Sequence, residues 1–581
     1  VKNVNDLIIR IAGAAGDGIQ SAGTMLAKYF QRNGLYVFTY NYYQDLIRGG
    51  QSWYQIRVSN DKVKTHGNNL HILISLTSDG VFRHTNENIN EGGAAPLAKD
   101  GIAIFDENLK IGTGDPRFRE LPLSAIAKRH SSNVLVRNMV ALGSLIKAIR
   151  FEIEPMQKII EEQFGAKGKS VTENKEALID GYNSYLLEPF ATSLRVTDRK
   201  TYLMGGGEAV GLGAVSAGMK AYFAYPMTPA SSALHWLANH AIKDKILVKV
   251  VEDEISAINM AIGANYAGIR AMTGSSGGGF ALMTEALGMA GMMEIPLVVY
   301  EAQRAGPSTG LPTKTEQSDL NQVLGASQGE YPKIIFSPRN VEDCFYCTRE
   351  AFNLAEHYQL PVIVMSDLYL AERMESVDDF NFEYNIDNGK IADSTFTDYK
   401  RYEYTNDGIS YRAIPGTKNL MHEEDSDEHN EYGDVISDAV LDPGLRAKSV
   451  EKRMRKLEEY IKTMPATPEY MLKDADFIIV QWGSTQGVVE ETVDSLRREG
   501  YKVGALEINR PYPMNHDIKE KLKGKRFVVV ENNYTGQLAG LIRSNFGLEP
   551  LKVITKYDGE PFYEKVLREQ IKKLILNKEA L

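Results

Sequence analysis

Short apolar runs, glycine-rich turns and stretches of helical spacing alternate along the chain, the pattern of strands covered by helices. Residues 7–12 read as a buried strand, Gly13 to Gly18 as a turn, and Ile19, Ala22, Leu26 and Phe30 as the inner face of a helix. With further runs over 70–76 and 101–105, this predicts an open α/β domain over 1–195, and Asp198 and Lys200 fall in a linker. A second α/β domain is expected over 201–375, opening at Gly205-Gly206-Gly207 and carrying parallel strands near 245–251, 295–300 and 360–365. Residues 376–470 turn polar and irregular, with an acidic patch at 423–428 and a charged helix over 448–463, and read as an insertion or lid. A third α/β unit follows over 471–581, with strands at 477–481, 501–508 and 526–531 and a helix at 488–498. The fold class is therefore α/β, with several open parallel-sheet domains.

Composition narrows the functional classes. At 581 residues the chain exceeds a single core. A net charge of -10 and a pI near 5.7 give no electrostatic reason to approach nucleic acid or anionic lipid. No run reaches the roughly 18 apolar residues of a spanning helix, and the first residues lack a basic stretch leading into an apolar core, so a cytoplasmic location is expected. The two cysteines, Cys344 and Cys347, are spaced CxxC, but Phe352, Leu354 and Ala355 continue an apolar helical face, which favours packed thiols over a redox pair. A four-iron cluster takes four thiolates, so any such relay belongs to another chain.

Five segments carry candidate chemistry. The turn Gly13-Ala14-Ala15-Gly16-Asp17-Gly18 is a tight strand-to-helix connection or a phosphate cradle, though it lacks the second glycine of the dinucleotide fingerprint. It also faintly imitates, with Asn41, the pattern that binds magnesium and diphosphate in thiamine enzymes. In Tyr225-Pro226-Met227-Thr228-Pro229 two prolines stiffen the backbone around Thr228, which either faces a ligand or helps cap a helix starting near Ser231. Glu252, Asp253 and Glu254 repel one another, so one functional carboxylate in a solvated acidic turn is the expectation. Thr273-Gly274-Ser275-Ser276-Gly277-Gly278-Gly279 is a strand-end glycine loop that lets backbone approach a flat ring. Residues 303–320 carry Arg304, whose planar fork suits a carboxylate, and Lys314 as a point-charge alternative.

These segments, in this order, resemble 2-oxoacid:ferredoxin oxidoreductases. The glycine turn with 47–52 is similar to the family's gamma domain, and residues 225–229 to the Tyr-Pro-Ile-Thr-Pro signature of its alpha subunits, with Met227 in place of Ile. The segment 303–320 is the longest close match, and 427–433, with His429, resembles another family segment. His429 either contacts substrate or orders its loop.

The resemblance implies a thiamine-diphosphate pyrimidine-binding-type domain and a transketolase C-terminal-like domain. Glu254 matches the acid that hydrogen-bonds N1′ of the aminopyrimidine and favours the imino form that deprotonates C2. Glu254 and Thr228 are thus the implied catalytic residues, Thr228, Tyr225, Arg304 and Lys314 the substrate contacts, and Pro226, Ser275, Ser276 and Gly277 the further cofactor contacts. No metal ligand is expected on this chain. A beta subunit would carry diphosphate, Mg2+ and a [4Fe-4S] cluster in an alpha-beta heterodimer or a dimer of heterodimers. It would oxidise a 2-oxoacid with coenzyme A as cosubstrate and ferredoxin as acceptor. The competing readings are a self-contained nucleotide-dependent oxidoreductase and a non-catalytic assembly subunit.

Overall fold

A computed structural model describes residues 4–45, 49–86, 96–112, 114–165, 168–436 and 443–576. The chain forms two compact units, one of residues 1–204, 373–379 and 563–566, the other of 205–372, 380–562 and 567–581.

The first unit is built on an eight-stranded sheet. Its strands are β1 (Asp6–Ala15), β2 (Tyr36–Tyr42), β3 (Gly49–Ser59), β4 (Leu70–Ser75), β5 (Leu97–Asp106), β6 (Phe118–Leu121), β7 (Tyr202–Gly205) and, from later in the chain, β14 (Met374–Val377). They lie in the order β6-β5-β4-β1-β3-β2-β14-β7. β1, β4, β5 and β6 run parallel, whereas β3 pairs antiparallel with both β1 and β2. The helix Ile19–Arg32 buries Ile19, Ala22, Leu26 and Phe30, as its spacing predicts. Gly16 and Gly18 take φ values of +95° and +74°, which glycine adopts without strain. Inside the turn the Asp17 carboxylate accepts from the Ala14 amide at 2.9 Å and pairs with Arg137 at 2.9 Å. These contacts close the turn on itself as a tight strand-to-helix connection. Ile47 and Arg48 of the gamma-like motif lie outside the described residues.

The second unit contains a six-stranded sheet of β8 (Ala221–Ala224), β9 (Leu247–Val250), β10 (Ala271–Ser275), β11 (Leu297–Gln303), β12 (Ile334–Phe336) and β13 (Pro361–Asp367). The order is β12-β13-β11-β10-β8-β9, parallel throughout. Parallel strands deliver all their C-terminal ends to one edge, where open α/β sheets place their sites. The segments after β8, β9, β10 and β11 are the four motifs singled out in the second domain. A five-stranded sheet, β15 (Glu469–Tyr470), β16 (Phe477–Trp482), β17 (Val503–Ile508), β18 (Arg526–Glu531) and β19 (Lys552–Thr555), shares an apolar core with it through Ile335, Trp482, Leu506 and Val529. Cys344 and Cys347 are buried on the helix Val341–Tyr358 and form no disulfide.

The irregular segment and the helix Pro443–Thr463 are held by a buried ion cluster. Glu294 takes both oxygens to Lys452 at 2.7 Å and one to Lys456 at 2.6 Å, and Arg401 donates to the Glu294 carbonyl at 3.0 Å while pairing with Glu424. Burial alone would raise the Glu294 carboxyl, but the two ammoniums and Arg401 override it and hold it well below the carboxylate range. Burial brings Lys456 down to about 7 despite Glu294.

Glu294→Gln leaves two ammoniums buried without their counter-charge and should destabilise the second unit by about 3–5 kcal/mol, read as a lowered thermal midpoint at neutral pH. Because the folded carboxyl lies below its unfolded value of 4.5, the wild-type contribution is full above that pH and disappears as pH falls. The gap between wild type and variant should therefore close on acidification.

Candidate functional site

Three adjacent carboxylates after β9 meet three different fates. Glu252 is exposed and accepts from Ser256 Oγ at 2.8 Å. Asp253 caps the helix Glu254–Tyr266, its Oδ1 accepting the Ser256 amide at 2.7 Å, a structural role in place of the solvated turn expected of it. Glu254 is the first residue of that helix and is 3 % exposed. Its Oε1 accepts the Ser275 hydroxyl at 2.9 Å, and among the described residues no other side chain bonds the carboxyl. The Ser275 hydroxyl also approaches the Met227 sulfur at 3.6 Å, so the ends of β8 and β10 and the segment after β9 converge.

The glycines of the following turn have separate jobs. A Cβ on Gly279 would overlap both Glu254 Oε1 and Ser275 Oγ, so the carboxyl-hydroxyl pair exists because that position lacks a side chain. A Cβ on Gly277 would overlap Asp319 Oδ2. At Gly278 the nearest atom to a Cβ is Ser308 O at 4.0 Å, leaving an open face. Ser276 precedes the helix Gly277–Met292; its hydroxyl is fully buried and takes no partner among the described residues. A buried acid with a single donor, an orphaned hydroxyl and a side-chain-free backbone face are the groups a flat, polar-edged ring needs.

Across the site Tyr225 and Pro226 are exposed and Thr228 is half-buried, with a cis Thr228–Pro229 peptide. Arg304 Nη1 donates to the Thr228 carbonyl at 2.9 Å, joining the turn after β8 to the loop after β11. Lys314 lies elsewhere in that loop, ion-paired to Glu560 at 3.2 Å; burial lowers its pKa. The structure thus brings Glu254 to Ser275 and Arg304 to Thr228, and sets Lys314 against the C-terminal segment. His429 is buried, its ring centroid 3.7 Å from that of Tyr402 and its Nδ1 2.9 Å from the Asp427 carbonyl, which is loop ordering. Sequence reasoning missed Glu301, a fully buried carboxyl, and Asp319, a half-buried one packed against Gly277. An acid within the otherwise apolar run 297–302 was the available signal for Glu301.

Known proteins match this chain along its length. The family described as pyruvate ferredoxin/flavodoxin oxidoreductase matches residues 8–184, the thiamine-diphosphate-binding family of pyruvate flavodoxin/ferredoxin oxidoreductases matches 212–442, and core domain II of pyruvate:ferredoxin oxidoreductase matches 475–565. The alpha subunit of 2-oxoacid:ferredoxin oxidoreductase 2 from Aeropyrum pernix is 30 % identical over 98 % of this chain and 98 % of its own. The 2-oxoglutarate oxidoreductase subunit KorA of Mycobacterium tuberculosis is 30 % identical over 97 % of this chain and 90 % of its own. A solved 2-oxoglutarate:ferredoxin oxidoreductase from Magnetococcus marinus, with 2-oxoglutarate, coenzyme A and succinyl-CoA bound, superposes with a TM-score of 0.88 at 34 % identity, covering 98 % of this chain and 100 % of that one. Motifs at the strand ends, whole-length identity and superposition agree: this chain belongs to the alpha subunits of the 2-oxoacid:ferredoxin oxidoreductases.

Proposed function

We propose that this chain supplies the aminopyrimidine-side half of a thiamine-diphosphate site for oxidative decarboxylation of a 2-oxoacid to acyl-CoA and CO2. The observation that carries the reading is the buried Glu254 carboxyl, bonded by Ser275 and uncovered by the missing Cβ of Gly279. When bound, the cofactor supplies a carbanion equivalent for addition to the 2-oxo carbon and an electron sink after decarboxylation.

Glu254 would hold the N1′ edge of the aminopyrimidine, and Ser275 fixes the carboxyl's orientation. Ser276 has a spare hydroxyl and Gly277 and Gly278 a bare backbone for the ring face, with Pro226 alongside. Arg304 presents a cation beside Thr228, the pairing that a substrate carboxylate next to a carbonyl requires, and Tyr225 flanks them. Lys314 serves the loop through Glu560 and drops behind Arg304 as the carboxylate anchor. Diphosphate, Mg2+ and a [4Fe-4S] cluster are assigned to a beta subunit, with ferredoxin as acceptor; two buried cysteines on one helix support placing the cluster elsewhere. The elements that carry the site also expose Leu247, Val250, Ile255, Met260 and Leu282, with β9 at the sheet edge, an apolar fringe suited to that subunit. No helix among the described residues is long and apolar enough to cross a membrane. A cytoplasmic setting is part of the proposal.

Three variants test this, each assayed as the co-purified complex with a panel of 2-oxoacids and a viologen dye. Glu254→Gln should assemble yet lose about 10²-fold or more of its turnover, the scale of a positioned acid-base group; a complex turning over at the wild-type rate removes Glu254 from the chemistry. Gly279→Ala should lose turnover similarly, because its methyl displaces the Glu254-Ser275 pair, whereas an unaffected rate would mean the pair is dispensable. Arg304→Ala should raise KM for the acid about 10-fold or more, the loss of a hydrogen bond to a charged group, and an unchanged KM would reassign the anchor.

A further inference from the structure

Ser275, the donor to Glu254, stands in parallel register with Glu301 on the neighbouring β11. Side chains at paired positions leave a sheet on the same face. Glu301 is completely buried, and among the described residues no donor reaches either of its oxygens. What faces it is a second carboxyl, Asp319, with Asp367 at the end of β13 beyond. The cation acting on the pair is Arg304, through Asp319. Two such carboxyls coexist in a buried site by sharing a proton, since one must become a donor for the other to accept.

Asp319 is also locked to the backbone of the cofactor-facing turn. Its Oδ2 fills the space where Gly277 would carry a Cβ. Its amide donates to Gln303 Oε1 at 3.0 Å, and Gln322, on the short helix that follows it, donates to the Gly277 carbonyl at 3.0 Å. It therefore lies against the first residue of the helix Gly277–Met292, where an anion is favoured by the helix dipole, and two residues before the Gly279 that makes room for Glu254.

We propose, on the footing of the Glu254 reading, that Asp319 and Glu301 are positioning residues that share one proton, and that this proton holds the turn Ser276–Gly279 where Glu254 and Ser275 need it. Loss of the proton to solvent base leaves two carboxylates in contact. Repulsion then displaces the Asp319 carboxyl, which packs against Gly277, and so disturbs the turn. Burial followed by the Asp319 charge pushes the Glu301 carboxyl far up, and burial pushes Asp319 up to about 6 against the pull of Glu301 and Arg304. Of the other groups acting on the pair, Asp367 adds negative charge that retains the proton and Arg304 opposes it, while the nearby Glu316 carboxyl is itself pushed up by burial and by Asp319. Tyr300, raised far up by its own burial, stays neutral.

The test is the pH profile of kcat/KM for the assembled complex with a 2-oxoacid and viologen dye. Wild type should show an alkaline limb. Glu301→Gln removes the ionisable partner, and Asp319→Asn gives Glu301 an amide donor, so in both variants the limb should move by about one pH unit or more, tenfold in proton affinity, or leave the measured range. A wild-type profile with no alkaline limb up to the pH at which the complex dissociates, or an assembled variant with the wild-type limb, overturns the proposal. Should neither variant assemble, infrared spectroscopy of the wild-type complex decides. The carbonyl stretch of a protonated carboxylic acid must vanish over the same pH interval as the activity, and loss at a different pH refutes the shared proton. Failure of the Glu254 reading is separate, appearing as turnover by Glu254→Gln.

Discussion

The requirement that organises the second unit is compensation of one buried carboxylate. Taking an ionised carboxyl out of water costs several kcal/mol unless donors meet it. Glu254 meets two favourable features at once, the Ser275 hydroxyl and the amino-terminal end of the helix it begins. Neither would reach it without the parallel sheet. β9 ends just before Glu254, β8 separates it from β10, and β10 ends at Ser275, so residues 21 positions apart come within 2.9 Å. Asp253 caps the helix, which frees Glu254 from that task and lets its side chain turn inward.

Rigidity around that carboxylate comes from the loop after β11. Arg304 ties it to the Thr228 carbonyl, and Gln303 receives the Asp319 amide. At its far end Gln317 donates to the Trp482 carbonyl at 3.0 Å and accepts the Asn532 amide at 3.0 Å, which fastens the loop to the ends of β16 and β18. The five-stranded sheet therefore contributes to the site by holding the residues that flank Arg304. That is a physical reason for one chain to carry both sheets.

Sequence alone disclosed those parts whose cause is local. The run 7–12, the helix from Ile19 and the strands near 297 and 361 announce themselves by spacing, and they are present. The pairing of β2 with β3 was not legible, because 49–59 alternates polar with aromatic residues and its leading glycines drew attention as a motif. Glu254 was legible through its match to the family's acid, since the residues alone said only that one of three carboxylates need be functional, whereas the capping role of Asp253 depends on a backbone geometry that composition does not reveal. Glu294 with Lys452 was invisible, since 158 positions separate an acid at a helix end from a lysine on a charged helix that reads as solvated. Lys314 shows the same limit: a basic residue in a functional loop looks like an anchor until its partner, Glu560, is seen.

Glu254 and Glu301 make a controlled comparison within one fold. Ser275 connects them, bonded to the first and in register with the second. Both carboxyls are buried at the same end of the same sheet. Glu254 accepts a hydroxyl and begins a helix. Glu301 does neither, and its neighbour is another acid, so the neutral form is favoured. Two acids a strand apart thereby meet different surroundings, a hydroxyl donor for the first and burial beside a second acid for the other. Gly279 leaves room for Glu254, and Gly277 leaves room for Asp319, the neighbour of Glu301, since a methyl at either position would displace the carboxyl beside it.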